Sequence, residues 1–153
     1  MDLILWRHAE AEDARSGQSD LDRALTTKGE RQAERMAEWL NRRLAASTRV
    51  LASPALRTRQ TAQALGRPFA DAASLAPGAL PEHLIEAAQW PDSAVPVLLV
   101  GHQPTLGQLA ARLLAGQAQS WSIRKAGVWW LRSRDGEADA GVVLQAVQAP
   151  EWL

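Results

Sequence analysis

The sequence predicts a three-layer α/β/α sandwich, with a mostly parallel central sheet, helices on both faces and an antiparallel hairpin at its C-terminal end. Three observations carry this reading. Leu3-Ile4-Leu5-Trp6 and Val97-Leu98-Leu99-Val100 are unbroken apolar runs, the mark of strands covered on both faces. Segments with apolar residues at three- and four-residue spacing follow the strands, so strand and helix alternate three times. The last part of the chain holds two apolar strands separated by a polar stretch, which reads as a hairpin. At 153 residues, 46% of them hydrophobic, the chain is expected to form one domain, 1–153. A chain of this size buries roughly 68–70% of its unfolded surface and needs no disulfide or metal to hold it.

The first strand ends at Arg7-His8, and the polar, glycine-containing segment to Asp22 reads as a loop. Thr27-Lys28-Gly29-Glu30 matches a capping box, with Thr27 as N-cap and Glu30 at the third helical position. The helix it opens is expected to run to about Leu44, with Ala33, Met36, Ala37, Leu40 and Leu44 inward. Val50-Leu51-Ala52 is a short strand. Ser53-Pro54 then reads as an N-cap and first helical residue, placing Arg57 in the first turn of a helix that continues through Leu65. Residues 69–81 read as loop, with a short strand near 74–76. A third helix is expected over 82–90 with Leu84, Ile85 and Ala88 inward, and a fourth after Gly101-His102-Gln103-Pro104, where Leu106, Leu109, Ala110, Leu113 and Leu114 share a face. Residues 128–131 and 142–147 form the hairpin, and one of Trp129 and Trp130 should face the core and the other outward.

Composition narrows the function. The formal net charge is zero, so nothing draws the chain to nucleic acid or to a membrane surface. There is no apolar run of membrane-spanning length and no signal-peptide pattern at the N-terminus. The absence of cysteine removes thiolate zinc sites and cysteine nucleophiles, and it fits a cytoplasmic location. Apart from Lys28 and Lys125, the positive charge is all arginine, the side chain whose planar fork suits phosphate.

Ligands in such sheets bind past the carboxyl ends of the parallel strands. His8 and His102, two of the three histidines, each follow an apolar strand directly, and Arg7 and Arg57 sit at the same kind of exit. With parallel strands these four side chains converge, together with helix N-termini that favour anions. That composition describes a phosphate site. Phosphoryl transfer needs an in-line nucleophile and neutralisation of three equatorial oxygens. Neutral imidazole can attack, and guanidinium groups can bridge two oxygens. His8 would attack, Arg7, Arg57 and His102 would hold the oxygens, and water would hydrolyse the phosphohistidine. The scheme requires neither metal nor cofactor.

These residues also carry a resemblance. Leu5-Trp6-Arg7-His8-Ala9 resembles the Arg-His-Gly signature of the histidine phosphatase superfamily, whose fold is phosphoglycerate mutase-like. Residues 53–62 resemble its second arginine motif, and Val100-Gly101-His102-Gln103-Pro104 its second histidine motif. With Leu25-Thr26-Thr27-Lys28-Gly29 before the first helix and so short a chain, the likeness is greatest to SixA-type phosphohistidine phosphatases. The resemblance implies His8 as nucleophile, Arg7 and Arg57 as phosphate-binding arginines and His102 as the second phosphate-contacting histidine. It implies removal of phosphate from a histidine-containing phosphotransfer protein in signalling. A small phosphate ester is the alternative substrate, and a catalytically idle phosphate- or phosphoprotein-binding module the alternative role.

The sequence departs from the family pattern twice. Ala9 stands where glycine is usual. No acid lies in residues 76–79, where many relatives place the proton donor, and Glu82 is the nearest candidate. A missing acid suits a phosphohistidine or another activated phosphate better than an alkyl ester, because an alkoxide leaving group has the greater need of a proton. It also argues against mutase activity. His8 with Glu10, Glu12 and Asp13 can be drawn as a hard-metal cluster, but acidic loops are usually only solvated. His83 reads as a surface or capping residue. Asp22 and Arg23 could order the loop over the site or form a plain surface pair.

Overall fold

A computed structural model describes residues 1–134 and 141–153; the middle of the polar stretch expected to join the hairpin strands lies outside them. The elements are β1 (Asp2–Arg7), α1 (Thr27–Asn41), β2 (Arg49–Ala52), α2 (Leu56–Gln63), β3 (Ala70–Asp71), α3 (Pro81–Ala88), β4 (Val97–Gly101), α4 (Thr105–Ala115), β5 (Val128–Ser133) and β6 (Val142–Gln148). Single 3₁₀ turns cover Asp20–Asp22, Ala73–Leu75 and Pro150–Trp152. The strands form one sheet in the order β3-β2-β4-β1-β5-β6. The first four are parallel, and β5 and β6 add antiparallel as the expected hairpin. β4 thus lies between β2 and β1 although it follows both in the chain.

Successive side chains on a strand point to opposite faces, and both faces here are covered. Ile4 and Trp6 of β1 join Val50, Leu98 and Val100 beneath α1 and α2. Leu3 and Leu5 join Leu51, Val97 and Leu99 beneath α3 and α4. Every residue of β4 is buried, which is why that run carries no polar alternation. Because both faces are covered, neither hairpin tryptophan simply faces outward. Trp130 is buried on the α1/α2 side, its Nε1–H donating to Asp2, and Trp129 is partly buried on the other side against Trp121, ring centroids 6.0 Å apart.

The helix boundaries differ from expectation where side chains have other partners. Thr26, not Thr27, caps α1, its hydroxyl accepting the Gly29 N–H at 2.9 Å, and the regular helix ends at Asn41 with Leu44 still buried in the turn beyond. Helix α2 starts at Leu56, two residues later than expected, so the N-cap position falls to Ala55, whose methyl group cannot cap, and the helix ends at Gln63. The short strand of the 69–81 region is Ala70–Asp71, and the expected strand position near 74–76 holds a 3₁₀ turn instead. Helix α3 begins at Pro81 and buries Leu84 and Ala88, with Ile85 only partly covered. No helix among the described residues is long and apolar enough to cross a membrane.

Candidate active site

Parallel pairing brings three strand exits side by side. Arg7 is in register with Gly101, and Ala52 with Val100. The ladder continues past the strand ends: the His8 N–H donates to the Gly101 carbonyl at 3.1 Å, and the Ser53 N–H to the Val100 carbonyl at 3.0 Å. His8, Ser53 and His102 therefore leave the sheet at one edge, and the rings of His8 and His102 lie 5.4 Å apart, inclined at 55°.

His8 is held by its own neighbour, with Nδ1 2.7 Å from the Ala9 carbonyl. A carbonyl only accepts, so Nδ1 carries the hydrogen and, in the neutral ring, Nε2 keeps a free lone pair. Burial, helped by the positive charges of Arg57, Arg7 and Arg23, pushes the His8 pKa down to about 4. Burial likewise pushes that of His102 down to about 3, with His8 and Arg57 adding to the effect. Both imidazoles are neutral at pH 7. Ala9 is buried and supports this arrangement: its N–H donates to the Thr61 hydroxyl at 3.1 Å, and that hydroxyl donates to the Arg57 carbonyl at 2.8 Å. Among the described residues the non-glycine residues with positive φ are Gln89 and Ala126, so alanine stands at position 9 without backbone strain.

Arg57, in the first turn of α2, is only 4% exposed. Its two terminal nitrogens hold Asp20, one at 2.8 Å from the carbonyl oxygen and one at 3.1 Å from the carboxylate. Arg7 donates to the Ile123 carbonyl at 2.8 Å. Among the described residues the buried Nε atoms of Arg7 and Arg57 and Nδ1 of His102 have no hydrogen-bond partner. Two arginines whose charges act on His8, a second imidazole 5.4 Å from it, and a buried nitrogen without a partner on each of the three make a set that can receive a tetrahedral oxyanion.

The structure thus gathers Arg7, His8, Arg57 and His102, but not Glu82. The Glu82 carboxylate is exposed and bonds Arg112 of α4 at 2.7 Å. Arg112 lies seven residues into α4, about 10 Å down the axis from its start. His83 is a capping residue, its Nδ1 accepting the Leu80 N–H at 3.2 Å. Among the described residues no three His, Asp or Glu side chains gather as a metal site; Glu10 meets Lys28 at 3.7 Å and the Thr26 hydroxyl at 3.4 Å instead.

Sequence reasoning missed two supports. Asp20 is one: it joins Arg57 to Arg23, which donates to the Asp20 carboxylate at 2.9 Å and to the Glu12 carbonyl at 2.7 Å. The signal present in the sequence was the pair Asp22-Arg23, which holds the partner Arg23 and lies two residues beyond Asp20. The other is the segment 121–127. Besides holding Arg7, it donates the Ala126 N–H to the His8 carbonyl at 3.1 Å and accepts the Trp6 indole N–H on the Ala126 carbonyl at 2.9 Å.

The model of the histidine phosphatase superfamily (branch 1) matches residues 3–78. Phosphohistidine phosphatase SixA of Escherichia coli K12 is 34% identical over 129 residues, covering 76% of each chain. A proposed phosphohistidine phosphatase SixA from Agrobacterium tumefaciens has a solved structure that superimposes with TM-score 0.80 at 27% identity, covering 97% of each chain. The protein histidine phosphatase SixA complexed with tungstate shares the fold, with TM-score 0.78 at 24% identity over 98% of this chain and 97% of that one. The chain belongs to the histidine phosphatase superfamily, and its sheet and helices are the phosphoglycerate mutase-like α/β fold. Within that superfamily it is a SixA-type member, and its activity is that of a phosphatase.

Proposed function

We propose that the chain is a metal-independent phosphatase that removes phosphate from phosphohistidine on a signalling protein. One observation carries this reading: a neutral His8 whose Nδ1 is tied to the Ala9 carbonyl, so that Nε2 is free to attack. In the first step Nε2 bonds to phosphorus as the P–N bond of the substrate breaks. Its electron pair stays on the leaving imidazole nitrogen, which takes a proton from solvent. In the second, water attacks the phosphorylated His8, releasing phosphate and a proton and restoring the ring. Arg7, Arg57 and His102 hold the phosphoryl oxygens in both steps. Glu82 is turned to Arg112, and Asp20, whose hydrogen bond from Arg23 first and from Arg57 next holds its carboxyl below the usual range, is ionised and donates no proton at neutral pH. A site without an acid favours a leaving group that departs easily, which imidazole does and an alkoxide does not.

The test compares a ³²P-labelled histidine-containing phosphotransfer protein, p-nitrophenyl phosphate and glycerol phosphate as substrates, with and without EDTA. The expected order is phosphohistidine first and alkyl ester last, with label trapped on His8, no effect of EDTA, and all turnover lost in His8→Ala. Equal or faster turnover of the alkyl ester would make the chain a small-molecule phosphomonoesterase, and inhibition by EDTA would remove metal independence. Phosphate or vanadate binding without turnover would leave only a binding module.

A further inference from the structure

Ser53 follows β2 directly, is fully buried, and places its hydroxyl oxygen 2.7 Å from Nε2 of His102. The same oxygen accepts the Ala55 N–H at 3.3 Å, and the hydroxyl has no other side-chain or backbone partner among the described residues. The serine backbone is fixed as well, since its N–H donates to Val100 and its carbonyl accepts the Thr58 hydroxyl at 2.9 Å. His102 is neutral at pH 7, so its single ring hydrogen resides on one nitrogen or the other.

The two tautomers are not equivalent here. With the hydrogen on Nε2, His102 donates to Ser53, and the serine O–H is left buried with nothing to accept it; Nδ1 is then a bare lone pair, also without a partner. With the hydrogen on Nδ1, the serine O–H donates to Nε2, and Nδ1–H is the single group left over. An unmade buried hydrogen bond costs more than a made one contributes, so the second arrangement wins. It also supplies what an anion needs, because a bare lone pair repels a phosphoryl oxygen while an N–H binds one.

We propose that Ser53 is a positioning residue that fixes His102 as the Nδ1–H tautomer, so that Nδ1–H donates to a phosphoryl oxygen. The inference rests on the functional reading above for the identity of the anion, but the tautomer stands or falls by itself. The two site histidines are then set in the same tautomer by opposite means. A carbonyl that only accepts holds His8 through Nδ1 and frees Nε2 as nucleophile, and a hydroxyl that donates holds His102 through Nε2 and frees Nδ1–H as donor.

Long-range ¹H–¹⁵N correlation on the full chain with ¹⁵N-labelled histidine tests this directly. There are three histidines, and His83 serves as a contrast, because its Nδ1 accepts a backbone N–H and its hydrogen must be on Nε2. At pH 7 the expected spectrum has His8 and His102 as Nδ1–H and His83 as Nε2–H, with His102 Nδ1 shifting on addition of vanadate. Ser53→Ala should mix the His102 tautomers and lower kcat/KM about tenfold, while Ser53→Thr, which keeps the hydroxyl, restores the wild-type pattern. An Nε2–H signal for His102 in the wild-type protein overturns the inference whether or not the variants fold. So does a Ser53→Ala protein, folded by circular dichroism, with an unchanged His102 signal. Failure of label to reach His8 would instead strike the functional reading and leave the tautomer untouched.

Discussion

The carboxylate of Asp20 rests 3.1 Å from a terminal nitrogen of Arg57, and the Asp20 carbonyl rests 2.8 Å from the other. An acid carried by a loop thus occupies the fork that the functional reading assigns to phosphate. Arg23 grips the same carboxylate, so the contact joins the loop at Asp20–Asp22 to the start of α2. A bound oxyanion must share Arg57 with Asp20 or displace it. Asp20→Asn removes the competing charge and keeps the shape. Inhibition by vanadate or inorganic phosphate should tighten, by about fivefold at low salt and less at high salt. Unchanged or weaker inhibition constants would show that Asp20 orders the loop without competing for the arginine.

The pH dependence follows from the two lowered imidazoles. The free-enzyme acid limb of kcat/KM should lie near pH 4, the His8 value, rather than near the ordinary 6.5. For stability the sign is fixed by proton counts. Between about 6.5 and about 4 the unfolded chain binds protons at these histidines that the folded chain does not. Stability is therefore full above about 6.5 and falls as pH is lowered through that window, by up to about 1.4 kcal/mol per pH unit for each histidine. Urea titrations from pH 7.5 to 4.5 should show this slope, flattened in a protein carrying His8→Asn with His102→Asn.

Gly107 lies in the first turn of α4, where a Cβ would meet the Trp121 carbonyl oxygen at 1.7 Å. That carbonyl belongs to the segment that holds Arg7 through Ile123, and it also accepts the Gln103 amide at 2.8 Å. Gly107→Ala must push the segment away. The expected result is a loss of about 2 kcal/mol in unfolding free energy, with a fall in kcat/KM larger than that caused by an equally destabilising substitution in α1. Equal losses from both would disconnect this glycine from the site.

Glu82→Gln separates an ion pair from a proton donor. If Glu82 serves only Arg112, activity on phosphohistidine and on aryl phosphate should stay within about twofold of wild type, and stability should change by less than about 0.5 kcal/mol, since the pair is exposed. A selective loss on esters with poor leaving groups would return Glu82 to the role of acid.

Much of this was legible because burial and pairing leave local marks. Strands covered on both faces must be apolar throughout, so β1 and β4 stand out, and a polar residue directly after such a strand lies at the sheet edge, which locates His8 and His102. The less legible features are those set by distant partners. Ser53 has the chemistry of a helix cap, and only the neighbouring β4 reveals that its hydroxyl goes to His102. Asp20 is one acid among several in an aperiodic loop, and its partner Arg57 lies 37 residues away. Thr26 and Thr27 are equally good caps locally, and the choice falls to Thr26, whose N–H also donates to the Glu10 carbonyl at 3.0 Å.

The position of β4 has a consequence for biogenesis. A growing chain that stops before residue 97 possesses His8, Arg7 and Arg57, yet the slot between β1 and β2, which β4 fills and past which His102 lies, is still empty. Strand insertion between two earlier partners is a late, non-local event. On the functional reading above, turnover should then wait for β4 to enter and for segment 121–127 to reach Arg7, and an enzymatic assay on a translation or refolding reaction should lag behind formation of the earlier β1–α1–β2–α2 units.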